Sequence, residues 1–500
     1  MDKNKKKIVI VGAGPGGLAA AMLLANKGFA VTVFEKNSQP GGRTSEIKLG
    51  DFRFDVGPTF LMMKFVLDEI FVECGKRSED YLNFIRLAPM YRLILPDDRY
   101  IDSYEDREKM RIELARVFPG NELGLDKFYH YEKKRYEALM PILQGNNQNI
   151  ADALKSKFLK ALPYFAIGHS VFDEMGRYFP SALARLTFTF QSKYLGMSPW
   201  ECPGAFGLVP YTEHAQGIYH VVGGLSEITR QMAKAAIELG AEIKYQSPVK
   251  ELLHKGKKIT GVLLENGENV LADEVVVNAD FGYAANNLMP QEFLKKYSAD
   301  KLKQTKISCS IFMWYVGLKK QYHLNHNTIV FAKDYKKNVE DIFRGNLTED
   351  GDISFYVRDT SDTDPKLAPI GQSAMYILVP VPNCRANINW QKQKEKIRSF
   401  VIEGLKQRLG ITDFEENIVV EKILTPDDWH DDYNIYEGAV FNLSHNLDQM
   451  LWFRPHNHFE ELENCYLVGG GTHPGSGLPT IFESGRIVSN LIFKKYQKKD

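Results

Sequence analysis

The chain has no cysteines at C-x-x-C spacing, no excess of either charge and no apolar run long enough to cross a bilayer. Its five cysteines, Cys74, Cys202, Cys309, Cys384 and Cys465, are scattered. That argues against a structural zinc or a disulfide framework and for a reducing, cytoplasmic compartment. Lys plus Arg and Asp plus Glu both total 63, so no electrostatic bias points to nucleic acid. No stretch of about 18 apolar residues occurs, so no helix is expected to span a membrane. The N-terminal apolar stretch is interrupted by glycines and does not read as a signal peptide. Internal repeats and low-complexity tracts are also missing. His323/His326, His456/His458 and the acidic run 427–432 have spacings a metal could use. The first and last sit in polar, loop-like sequence and read as solvated surface, so no metal is expected.

The informative stretch is the first forty-odd residues. Ile8-Val9-Ile10-Val11 precedes Gly12-Ala13-Gly14-Pro15-Gly16-Gly17, and an Ala/Leu-rich run follows to Lys27. A β-branched run, a glycine turn and an Ala/Leu run read as strand, turn and helix. Gly12, Gly14 and Gly17 fit G-x-G-x-x-G, in which glycines make the turn, admit a pyrophosphate and let helix pack on strand. The helix N-terminus then offers N–H groups and a favourable dipole to the anion. Ala30-Val31-Thr32-Val33-Phe34 forms the next strand and ends in Glu35, roughly twenty residues after the turn, where an acid binds an adenosine ribose. An acid there repels a 2′-phosphate, which disfavours NADP.

Further on stand Gly41-Gly42-Arg43, Phe54-Asp55-Val56-Gly57-Pro58, Gly217-Ile218-Tyr219-His220-Val221-Val222-Gly223-Gly224 and, near the far end, Gly469-Gly470-Gly471-Thr472-His473-Pro474-Gly475-Ser476-Gly477-Leu478-Pro479. At these residues the sequence resembles the FAD-dependent amine oxidase superfamily, and within it the bacterial-type phytoene and diapophytoene (carotenoid) desaturases. The resemblance covers nearly the whole chain, and the THPG segment is its most specific part.

The resemblance implies an α/β fold with a discontinuous, Rossmann-like FAD-binding domain (1–80, 217–290 and 456–500). A mixed-sheet substrate domain (81–105 and 291–455) and a helical cap (106–216) that associates with membranes complete it. It implies FAD contacts from Gly12, Ala13, Gly14, Pro15, Gly16, Gly17, Glu35, Lys36, Gly42 and Arg43, then from Gly57, Pro58, Thr59, Val249, Ala279 and Asp280. Near the far end it adds Gly470, Gly471, Gly477, Pro479 and Thr480. The expected reaction is desaturation of an apolar carotenoid precursor: an allylic hydride passes to flavin, a neighbouring proton leaves, and a quinone or oxygen takes the electrons. Such a hydrocarbon has no polar group to hold, so apolar walls must position it. No acid–base dyad stands out. Glu213 and His214 could take the proton but read as structural. Thr480-Ile481-Phe482-Glu483 departs from the small residues usual after this motif, which keeps carotenoid isomerase, saturase and terminal-methyl oxygenase readings open. A prenyl-lipid escort protein is more remote, because that class loses fingerprint glycines, and the THPG block speaks against an amine oxidase.

Along the chain, residues 84–87 and 91–95, broken by Pro96-Asp97-Asp98, suggest a β-hairpin. Residues 106–143 read as helix with a break at Pro119-Gly120-Asn121. Asn266-Gly267 marks a hairpin, residues 274–277 a buried strand rejoining the nucleotide domain, and 390–409 a helix. Residues 150–212 interleave aromatics with Lys155, Lys157, Lys160, Arg177 and Arg185. That pattern suits an interfacial anchor or a cap burying its aromatics in its own core; the two are compatible.

Overall fold

Strand alternation organises the centre of the molecule. In Lys7–Val11, Ile8 and Ile10 turn to one face and Val9 and Val11 to the other, the period of two that a pleated strand imposes. The computed structural model describes residues 5–497. It sets this strand in the middle of a parallel five-stranded sheet, ordered Glu242–Lys244, Ala30–Phe34, Lys7–Val11, Glu274–Val277, Cys465–Leu467. Helices Pro15–Asn26, Ser226–Glu238 and Leu478–Gln497 cover the Ile8/Ile10 face. An antiparallel sheet of Val249–Lys255, Lys258–Leu264 and Asn269–Leu271, with helix Phe281–Asn287, covers the other. Pro15–Asn26 is buried along nearly its whole length, as an apolar-all-round helix must be. A Cβ at Gly485 would lie 2.8 Å from the Gly16 carbonyl oxygen, so glycine lets the last helix press on the first.

A seven-stranded mixed sheet runs Ile418–Leu424, Ser310–Leu318, Ser373–Val381, Phe355–Asp359, Asn327–Val330, Tyr91–Ile94, Tyr100–Ser103. Every residue of Ser310–Leu318 is buried, so both its faces are covered. Phe312, Trp314 and Val316 pack with Ile397, Val401 and Leu405 of helix Trp390–Leu409. Ile311, Met313 and Tyr315 pack on the opposite face with Phe52, Phe54 and Val56. That second contact presses the sheet against the segment leading to Gly57 and Pro58.

Several expectations need correction. Phe84–Arg86 does not pair with 91–95. It joins Ile218–Val221, which also pairs with Leu61–Met62, while the 96–98 turn links Tyr91–Ile94 to Tyr100–Ser103. Pro89, between the two runs, has no N–H for a ladder and diverts the chain. His326 is not solvated: it is buried between Thr363 and Arg358. The acidic run begins in a helix, Pro426–Asp431, with Trp429 buried and Asp428 bonded to the Thr425 hydroxyl at its N-terminus.

The cap follows the expected break, with helices Arg107–Val117 and Leu125–Leu143, then short helical turns. Phe158, Tyr178, Phe179, Phe188 and Phe190 are buried, with Phe179 and Phe188 stacked at 4.3 Å. The aromatics therefore form the cap's own core. The exposed apolar side chains are aliphatic instead: Ile150, Leu154, Leu159, Leu162 and Ile167 are each more than 55% exposed, beside exposed Lys155 and Lys160. Among the described residues, no helix is long and apolar enough to cross a membrane.

Candidate functional site

The glycine turn is built for close approach. Gly12 has φ +97° and donates its N–H to Phe34 O at 2.8 Å, tying the turn to the neighbouring strand. Pro15 opens the helix, where its fixed φ suits and its missing N–H costs nothing. A Cβ at Gly17 would sit 2.3 Å from Gly12 O, and one at Gly14 2.6 Å from Asn278 Nδ2. Asn278, just past strand Glu274–Val277, donates Nδ2–H to Gly12 O (3.2 Å) and accepts from Gly17 N–H (3.0 Å). Sequence reasoning missed Asn278, although an amide ending an all-buried strand is a usable signal.

Glu35 is buried, and its carboxylate accepts from the N–H groups of Ala13 (2.8 Å) and Asn37 (2.9 Å). It thus caps the glycine turn while standing at the end of its strand. Ser247 N–H donates to Glu35 O at 2.9 Å, which brings the segment leading to Val249 alongside. Lys36 points elsewhere, its ammonium donating to Asp432 O at 2.8 Å. Gly41 N–H reaches Ala13 O at 2.9 Å, and Gly41 and Gly42 both have positive φ. Arg43 donates to Val440 O at 2.5 Å, and a Cβ at Gly57 would lie 2.9 Å from Arg43 O. Val56 and Pro58 offer their carbonyls to the hydroxyls of Tyr315 (2.5 Å) and Tyr376 (3.3 Å), and Thr59 follows directly.

The far end of the chain closes the same place. A Cβ at Gly16 would lie 3.1 Å from Gly469 N, and Gly469 donates to Ser484 Oγ at 2.9 Å. A Cβ at Gly471 would strike Phe281 and Asn442. Asn442 donates to Asp280 at 2.5 Å; burial pushes the Asp280 carboxyl up and the Arg43 charge pulls it back. Asp280, next after Ala279, also accepts from Tyr283 N–H at the start of its helix. Gly477, at φ +111°, leads into Leu478 and Pro479, and Thr480 Oγ1 donates to Ser476 O and Gly477 O at 2.8 Å. The 12–43 and 469–480 segments thus meet across Asn278, with 57–59 beside Arg43, while Lys36 turns away.

This site fits a flavin dinucleotide. Gly14 and Gly17 let Asn278 and the Gly12 carbonyl pack tightly on the turn, which leaves backbone exposed at a helix N-terminus suited to a pyrophosphate. The buried Nδ1 atoms of His473, in the 470–475 segment, and of His445, which lies against Gly475, have no protein partner.

Glu213 and His214 sit in helix Leu208–Gln216. His214 Nδ1 bonds Tyr104 O at 3.0 Å, and burial takes the ring down to about 4, so it is a neutral structural residue. Glu213 Oε2 accepts from Gln191 Nε2 (3.0 Å) and the Tyr91 hydroxyl (3.2 Å), while Oε1 has no partner. Burial pushes its carboxyl from an ordinary 4.5 up to about 7. A raised folded-state pKa stabilises fully below the unfolded value and loses that stabilisation as pH rises through the folded one. Between pH 4.5 and about 7, Glu213 is therefore expected to withdraw on the order of 3 kcal/mol from the fold. Glu213→Gln should gain stability relative to wild type over that window. Thermal melts of both proteins from pH 4.5 to 8 check this, and parallel curves would refute it.

Residues 15–493 match the family described as flavin containing amine oxidoreductase. The chain is 51% identical to a 4,4′-diapophytoene desaturase (4,4′-diapolycopene-forming) of Methylomonas sp, over 99% of this chain and 96% of that protein. It is 38% identical to a zeta-carotene-forming phytoene desaturase of Myxococcus xanthus, over 97% and 94%. Among solved structures, putrescine oxidase bound to putrescine superposes with a TM-score of 0.66 at 15% identity, covering 98% of this chain and 99% of that one. That last likeness is one of fold.

Proposed function

We propose, from the premise that this chain belongs to the flavin-containing amine oxidoreductase family and within it to the carotenoid desaturases, that it inserts conjugated double bonds into 4,4′-diapophytoene. The observation that carries the reading is 51% identity across 99% of the chain, substrate sheet and cap included. FAD is the cofactor, held by the glycine turn, Glu35, Arg43, the 57–59 segment and the 470–480 segment. When bound, it supplies two-electron chemistry, accepting hydride from a carbon–hydrogen bond beside existing double bonds. The protein's part is to position and to keep water out. The hydroxyls of Tyr315, Tyr356 and Tyr376 are all engaged, by Val56 O, Asn327 Oδ1 and Pro58 O. These three tyrosines therefore leave no free hydroxyl beside the cofactor segment, as a hydrocarbon requires.

The test is anaerobic mixing of the flavin-loaded enzyme with 4,4′-diapophytoene and, separately, with phytoene. One new double bond per FAD reduced, formed faster on 4,4′-diapophytoene, is expected. Equal rates would remove the substrate assignment, and a geometric isomer formed without flavin reduction would remove desaturation.

The same proposal places the enzyme on a membrane surface through residues 150–167, with a bilayer quinone, or oxygen, re-oxidising it. Exposed Ile150, Leu154, Leu159, Leu162 and Ile167 beside Lys155 and Lys160 give an apolar contact with a basic rim. Wild-type protein is expected to float with anionic liposomes. Leu154→Glu with Leu159→Glu should stay at the bottom of the gradient with an unchanged melting temperature. Wild-type protein that stays in the soluble fraction at low salt ends this part of the reading.

A further inference from the structure

Among the described residues, three arginines are fully buried: Arg135, Arg358 and Arg454. Two are neutralised by carboxylates, Arg135 by Glu132 and Glu174, and Arg358 by Asp55. Arg454 is not. Its guanidinium donates only to carbonyl oxygens and a sulfur: Thr472 O (3.1 Å) from Nε, Ser444 O (3.2 Å) and Gln449 O (3.4 Å) from Nη1, and Leu443 O (3.1 Å) and Gly470 O (2.7 Å) from Nη2, with Met450 Sδ at 3.9 Å. These bonds satisfy its donors without cancelling its charge. An uncompensated buried charge costs several kcal/mol, and among the described residues no carboxylate pairs with Arg454.

Two of the carbonyls, Gly470 and Thr472, belong to the segment that closes the flavin site. The charge is felt there. Burial first, and Arg454 second, push His445 well down, and His473 falls to about 4 chiefly by burial with Arg454 contributing. His445 Nε2 accepts from Ser476 N–H at 3.0 Å, as a neutral ring must. Burial lowers Arg454 itself only to about 10, so it stays cationic.

We propose that Arg454 is the built-in counter-charge for reduced flavin, favouring the anion formed when the oxidised cofactor gains two electrons and one proton over the neutral oxidised ring. The proposal rests on the flavin reading above. The electrons are those of the substrate's hydride, and the substrate's second hydrogen leaves as a proton. Arg454 touches neither and acts as a positioning residue through its field, one of the ways a protein tunes a cofactor's electronics.

The test is the reduction potential of bound flavin, measured by dye equilibration without any carotenoid. Arg454→Gln removes the charge, whereas Arg454→Lys keeps it. The Gln variant should lose at least tenfold in its preference for reduced over oxidised flavin, about 30 mV for a two-electron couple, and the Lys variant less than threefold. A loaded Gln variant with an unchanged potential overturns the proposal. So does equal weakening of both redox states, which would assign the charge to the pyrophosphate. If the Gln variant does not fold, wild type still decides, at a mildly acidic pH where free reduced flavin is neutral. A slope of about 30 mV per tenfold change in proton concentration means an anionic reduced flavin; twice that slope overturns the proposal. An enzyme that failed to desaturate carotenoids would leave all these readouts intact, so the two readings fail separately.

Discussion

Gly14→Val is expected to purify folded but colourless. A Cβ at position 14 would lie 2.6 Å from Asn278 Nδ2, and valine adds two methyl groups at the mouth of the helix, where a pyrophosphate must come close to backbone. Asn278 cannot step aside cheaply, because it also holds Gly12 O and Gly17 N–H. The measurement is the ratio of flavin to protein absorbance after reconstitution with excess FAD, with circular dichroism to verify folding. A stoichiometrically yellow Gly14→Val protein would mean that the pyrophosphate lies elsewhere.

The second large effect is expected at Arg358. It joins Asp55 at 2.7 Å and His220 at 3.0 Å, and His220 in turn contacts Asp364 at 2.9 Å. All four residues are buried. Asp55 also accepts from Leu225 N–H and Ser226 N–H at 2.9 Å, so it orders the start of a helix as well as the strand leading to Gly57. Arg358→Leu leaves Asp55 buried without its cation, a loss of about 3–5 kcal/mol, together with weaker flavin retention. Denaturant unfolding measures the first effect and equilibrium dialysis the second. Adding Asp55→Asn should recover part of the stability, because the cost lies in the orphaned charge; strictly additive losses would contradict this.

The first βαβ unit was legible because its signals are local. Three glycines, a preceding β-branched run and an acid after the second strand all fall within Ile8–Glu35, and each lies where the reading put it. The Asn266-Gly267 hairpin and the 390–409 helix were readable for the same reason. What escaped depends on contacts between distant residues. Phe84–Arg86 has too little alternation to reveal that its partner is Ile218–Val221. Asp55 and Arg358 are 303 positions apart, and nothing near either names the other. Arg454 carries no local mark, since its ligands are backbone carbonyls and any residue supplies those. In the cap, basic residues among aromatics matched an interfacial pattern, but packing sent the rings inward and left aliphatic side chains outside.

Synthesis proceeds from the N-terminus, so the turn at Gly12 leaves the ribosome long before anything can close it. Asn278 follows much later. Strand Cys465–Leu467 and helix Leu478–Gln497, which completes the cover over Pro15–Asn26, come near the end. Throughout elongation the first helix therefore has an unmet apolar flank and the nascent chain holds only part of a cofactor site. Both ends of the chain are therefore needed to complete that site.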